Sequence, residues 1–132
     1  MAAGPIARGL SVASLLGALA CGGSSPNGGP SPTCTASPNT TTITISNNAV
    51  CPQNITVPRG AQVTFVNNDT RNHDMESDPH PEHTDCPEIN QAGFIAPGQS
   101  RQTGNLVTAR RCGFHDHQNF ENTALRGSIT IQ

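Results

Sequence analysis

The chain reads as an all-β sandwich, and three observations say so. Short alternating apolar runs recur and are separated by Asn-Asn, Pro-x-Gly and Pro-Gly turns. No segment sustains a helical apolar period. With no Trp or Tyr and only four Phe, the interior must be filled by Val, Ile, Leu and Phe in one modest core.

Taken in order, residues 9–20 (GLSVASLLGALA) form an apolar run behind a lone Arg8. The run is shorter than the roughly 20 residues of a membrane span and suits the h-region of a signal peptide. Ala18-Leu19-Ala20 satisfies the small-residue cleavage rule, and ALAC ending at Cys21 resembles a bacterial lipoprotein signal. The expected organisation is a signal peptide over 1–20, a lipidated Cys21 opening a Gly/Ser/Pro-rich tether over 21–39, and one domain over 40–132. The expected location is the bacterial cell envelope, periplasm or surface, held to the membrane by a lipid on Cys21; plain secretion cuts the same bond.

Within the domain, Thr41–Ser46 alternates, Asn47-Asn48 turns, Ile55–Val57 resumes, Pro58-Arg59-Gly60 turns again and Gln62–Asn67 follows. A proline-studded stretch over Asp74–Gln91 reads as irregular. Gly93–Ser100 contains the Pro97-Gly98 turn, and strands are expected over Gln102–Cys112 and Arg126–Ile131. The expected core is Ile43, Ile45, Val57, Val63, Phe65, Phe94, Leu106, Phe114, Ile129 and Ile131.

The formal net charge of −2, with no Lys, argues against a nucleic-acid partner. Seven of the nine acidic residues fall between Asp69 and Glu88, so that stretch is either a solvated loop or a surface for a partner or a cation. No serine sits in a nucleophile elbow and no carboxylate pair follows a cleft pattern, so an enzyme is not expected.

Three clusters carry chemistry. The strand VTFVNNDTRNHD, Val63–Asp74, empties into a polar turn that delivers His73. The run CGFHDH, Cys112–His117, offers a thiol with His115 and His117, which strand alternation sends to one side. In the irregular stretch stands His80-Pro-Glu-His83-Thr-Asp-Cys86, where Pro79, Pro81 and Pro87 argue against a helix. That loop either lends His80 or His83 to a shared ion, forms its own capture site, or merely tolerates histidine. Apart from Cys21, the four cysteines Cys34, Cys51, Cys86 and Cys112 make two disulfides the structural default in an oxidising compartment, with Cys34–Cys51 the expected first pair.

From Ile43 to Gln132 the chain resembles the cupredoxins, the plastocyanin-like blue copper proteins. VCPQNITVPRGAQVTFVNNDTRNHD resembles their second and third strands and first histidine ligand, IAPGQS their middle hairpin and LRGSITI their last strand. The resemblance implies a Greek-key sandwich, a copper ion, single-electron transfer with an unidentified redox partner protein, and a monomer. It implies a metal site of His73, Cys112 and His115 or His117, with Leu125 in the place of the axial methionine. Two registrations remain open. In the first, Cys112 is the copper thiolate. In the second, counted back from Leu125, Asp116 takes the cysteine position, Cys112 and Phe114 face the core, Cys86 pairs with Cys112, and His73 with His115 and His117 forms an all-nitrogen site. The corresponding alternative functions are a copper chaperone or buffer, or a metal-free adhesion or scaffold domain.

Overall fold

A computed structural model describes residues 34, 35 and 37–132; the expected signal peptide and Cys21 lie outside them. Among the described residues nine strands form two sheets: β1 (Thr42–Ser46), β2 (Ala49–Cys51), β3 (Asn54–Val57), β4 (Thr64–Asn67), β5 (His73–Ser77), β6 (Gly93–Ile95), β7 (Ser100–Gln102), β8 (Arg110–Asp116) and β9 (Gly127–Ile131). One sheet runs β2-β1-β4-β7 and the other β3-β9-β8-β5-β6. The pairs β1–β4 and β3–β9 are parallel and the remaining neighbours antiparallel. No α-helix occurs among the described residues; three short 3-10 turns cover Ile89–Gln91, His117–Asn119 and Thr123–Leu125.

The expected alternation builds the core. Ile43 and Ile45 of β1, Phe65 of β4, Phe114 of β8 and Ile129 and Ile131 of β9 are all buried between the sheets. Phe65 and Phe114, one from each sheet, meet edge to face with centroids 5.3 Å apart. Each ring contributes about 1.5–3 kcal/mol by leaving water. Phe94 departs from the expected core and is 46% exposed. It lies on edge strand β6 opposite Asp74, so it faces outward.

Two stretches differ from their expected structure. Residues 103–109 form no strand, because the chain there leaves the sheet of β7 and crosses to that of β8; Leu106 bridges to Ala61 on the way. The stretch expected to be irregular opens as strand β5, HDMES, in which His73, Met75 and Ser77 are buried. Two of those three inward residues are polar, so the period of two was hidden from a hydrophobicity reading.

Both default disulfides are present. Cys34 bonds Cys51 with Cα atoms 5.5 Å apart, and Cys86 bonds Cys112 with Cα atoms 5.8 Å apart. Cys86, Ile89 and Ala92 are buried and fasten the insertion between β5 and β6 into the core.

Candidate metal centre

Residues paired across a β-ladder share a face. Here Met75 stands opposite Asp116, Glu76 opposite His115 and Ser77 opposite Phe114. Cys112, Phe114 and Asp116 therefore face the interior with His73 and Met75, whereas His115 and Glu76 face the other side of the sheet. There the insertion after β5 folds back over β8. His83 N–H donates to the Pro79 carbonyl at 2.7 Å and Asp85 N–H to the Asp78 carbonyl at 2.9 Å, which curls the loop so that both its histidines meet the strand.

His80, His83, His115 and His117 each offer a ring nitrogen, and these four atoms lie within 4.8 Å of one another. The atoms can be assigned. His115 Nδ1 lies 2.7 Å from Asp78 Oδ1; a carboxylate only accepts, so Nδ1–H donates and Nε2 keeps the free lone pair. That Nε2 is buried without a hydrogen-bond partner, as is His80 Nδ1. His83 turns Nδ1 toward Glu76 Oε2 at 3.8 Å and places Nε2 3.1 Å from His117 Nδ1. Two nitrogens each about 2.0–2.1 Å from one ion at a tetrahedral angle stand about 3.3 Å apart, so this pair has the spacing of ligands sharing a cation. His80 is stacked on Phe120 at 4.0 Å, which fixes its ring plane. His117 is exposed and opens the site to solvent, while His115 is buried.

Partial burial, followed by the repulsion each imidazolium would feel from its neighbours, holds His80 and His83 below the ordinary histidine pKa. Burial, and then the nearby Asp74, pushes the Glu76 carboxyl up. An imidazole harder to protonate in the fold than in the unfolded chain draws protons toward the unfolded state. The contribution of His80 and His83 to the stability of the metal-free protein is therefore full above about pH 6.5 and falls as pH drops below it, while the raised Glu76 carboxyl contributes with the opposite sign. Urea midpoints between pH 7.5 and 5.5 should show that fall, and replacing both His80 and His83 by Gln should flatten it; equal slopes would contradict this account.

The sequence-predicted ligands divide. His115 and His117 belong to the four-histidine group; His73 and Cys112 do not. Cys112 is bonded to Cys86, so it offers no thiolate. His73 faces the interior, where Nδ1 lies 2.8 Å from Asp116 Oδ2 and Nε2 lies 3.4 Å from Asp69 Oδ2. Asp116 thus stands beside His73, and the all-nitrogen site of His73 with His115 and His117 does not form, because the pleat turns His73 inward and His115 to the other side of the sheet. Burial alone would raise Asp69, but the Asn48 and Thr70 amides and then the His73 ring outweigh it and hold this carboxyl below its usual value. The pair borders an open depression lined by Asn48, Thr70, Arg71, Asn72, Gln118 and Asn119. What sequence reasoning left open was the part played by His80 and His83; their His-x2-His spacing was the available signal.

No protein-family model matches the chain, and a comparison with curated proteins finds no match. Solved structures do match. A purple cupredoxin from Nitrosopumilus maritimus is 15% identical over 69% of this chain and 98% of its own, with a TM-score of 0.53. The oxidised form of plastocyanin from Dryopteris crassirhizoma is 18% identical over 69% of this chain and 99% of its own, with a TM-score of 0.54. The Cu(I) form of an amicyanin variant is 15% identical over 74% of this chain and 86% of its own, with a TM-score of 0.55. The fold is a Greek-key β-sandwich of cupredoxin type.

Proposed function

We propose that this protein binds copper through His80, His83, His115 and His117 on the outer face of the five-stranded sheet, and that it handles copper as a buffer or chaperone. The observation that carries the reading is the convergence of four imidazole nitrogens, two of them buried and without partners. Burying a polar atom unpaired is costly, and a cation would meet the need of both unpartnered nitrogens at once. Imidazole suits copper, zinc and nickel, and divalent copper binds such donors most tightly. Copper is preferred because an amicyanin of the same fold is described in a Cu(I) form. When bound, the ion would supply a Lewis-acidic and redox-capable centre. The chain would supply a buried anchor in His115 and, in exposed His117, a ligand that an incoming partner can displace.

Two disulfides suit an oxidising compartment, and we place the protein in the cell envelope, tethered through a lipid on Cys21. We read it as a binding protein rather than an enzyme. A second reading, single-electron exchange with a redox partner protein, is favoured by the likeness to a plastocyanin described in its oxidised form. An all-nitrogen site lacks the sulfur that favours Cu(I), so reversible voltammetry near the potentials of thiolate-ligated copper would promote that second reading.

Titration of the metal-free protein with Cu(II) should saturate at one tight equivalent. Paramagnetic resonance should show nitrogen hyperfine structure, and the optical spectrum should be pale, with no intense band at the red end. The double replacement of His83 and His115 by Ala should abolish tight binding, while His73→Gln should leave it in place. Failure to bind at micromolar copper, or a thiolate charge-transfer band, would overturn the proposal.

A further inference from the structure

We infer that Asp78 is the positioning residue of the four-histidine site and that residue 113 is glycine in order to admit it. The inference deepens the copper-binding reading and rests on it only for its affinity arm.

An imidazole can bind a cation only through the nitrogen that lacks a proton. In His115 the proton is held on Nδ1 by Asp78 Oδ1 at 2.7 Å, which leaves Nε2 bare and without a partner, in a ring whose centroid is 5.4 Å from that of His80 and 5.1 Å from that of His83. Asp78 is in turn held by its backbone. Its N–H donates to the Gly113 carbonyl at 3.0 Å, and its own carbonyl accepts from Asp85 N–H at 2.9 Å. The carboxylate is therefore carried by the loop yet registered to the strand that bears His115, two residues beyond Gly113. Glu76, another acidic neighbour, stands 3.8 Å from His83 Nδ1, too far for a hydrogen bond that would fix a tautomer.

Gly113 supplies the independent observation. Its φ is not in the left-handed region, so its backbone does not require glycine. Glycine is also a poor residue for a strand interior. A methyl group there would overlap the Asp78 carboxylate, both Oδ2 and Cγ. The missing side chain is the space that Asp78 occupies above the sheet. Asp78 is itself 43% exposed on its side chain, so its role is to orient the ring and choose its tautomer rather than to add much stability. Carboxylate partners of this kind typically account for 10–100-fold in metal affinity.

The test uses Asp78→Ala, Gly113→Ala and the isosteric Asp78→Asn, whose side-chain oxygen can still accept from Nδ1–H. In the metal-free wild-type protein, long-range 1H–15N spectra should report His115 as the Nδ1–H tautomer. That signature should be lost in Asp78→Ala and Gly113→Ala and kept in Asp78→Asn. Copper dissociation constants should rise 10–100-fold in the two alanine variants and only a few-fold in Asp78→Asn, at melting temperatures that confirm folded protein. An Nε2–H tautomer in the wild type, or unchanged tautomer and affinity in folded Asp78→Ala, would overturn the inference. If an alanine variant does not fold, the wild-type tautomer and Asp78→Asn still decide. Wild-type protein that binds no copper but shows the Nδ1–H tautomer, lost in Asp78→Ala, would sink the copper reading and uphold the positioning role.

Discussion

Replacement of Asp116 by Ala is expected to cost about 3–5 kcal/mol of folding stability, because a buried carboxylate is lost and each hydrogen-bond partner left without it costs about 1–3 kcal/mol. The carboxylate is a hub: Oδ2 takes the His73 ring at 2.8 Å, and Oδ1 accepts from Asp74 N–H at 3.0 Å and Gln118 N–H at 3.1 Å. Its loss strands a ring that is 1% exposed and frees the turn that carries His117. For a domain of this size, whose whole stability is about 5–15 kcal/mol, the melting temperature should drop by roughly 12–40 °C. Replacing both Asp116 and His73 by Leu should recover part of the loss, because the ring that Asp116 partnered is then no longer left buried and unpaired. Thermal and urea unfolding at pH 7.5 measure this, and a cost below about 1 kcal/mol would refute the structural role given to the pair.

Replacing Cys86 and Cys112 together by Ala should destabilise the fold by about 3.5 kcal/mol, the loop-closure value for a sequence separation of 26. The consequence should extend to copper. His80 and His83 sit on the segment leading to Cys86, and His115 and His117 follow Cys112, so the bond joins the two halves of the site. Chemical denaturation combined with copper titration should show a lower midpoint and a weaker dissociation constant together. Unchanged affinity in a folded double variant would mean that the loop finds its place over β8 without the bond.

Much of the fold could be read from residues alone because alternation reports burial directly wherever the inward residue is apolar. TTITIS, QVTFVN and RGSITI all became strands β1, β4 and β9 with the expected sides inward. The same rule was silent at β5, whose inward residues include His73 and Ser77, and misleading at Phe94: of the adjacent apolar pair Phe94 and Ile95 only one can point inward, and the structure buries Ile95. At the site, His115 and His117 were legible from their spacing. The companionship of His80 and His83 was not, since a proline-rich loop has no period from which to compute where its side chains go.

By itself the amino-acid sequence determined a two-sheet β domain with its main core and an expected Cys34–Cys51 bond, together with histidine clusters of metal-binding type, while leaving open whether Cys112 is a thiolate or is bonded to Cys86. Only the tertiary structure decided which histidines meet. The reason is a matter of faces: the pleat sends His73 and Asp116 to one side of the sheet and His115 to the other. Whether an outer-face residue finds partners depends on a loop folding back over it, and that return is set by contacts distant in sequence, such as Asp78 over Gly113 and Cys86 bonded to Cys112.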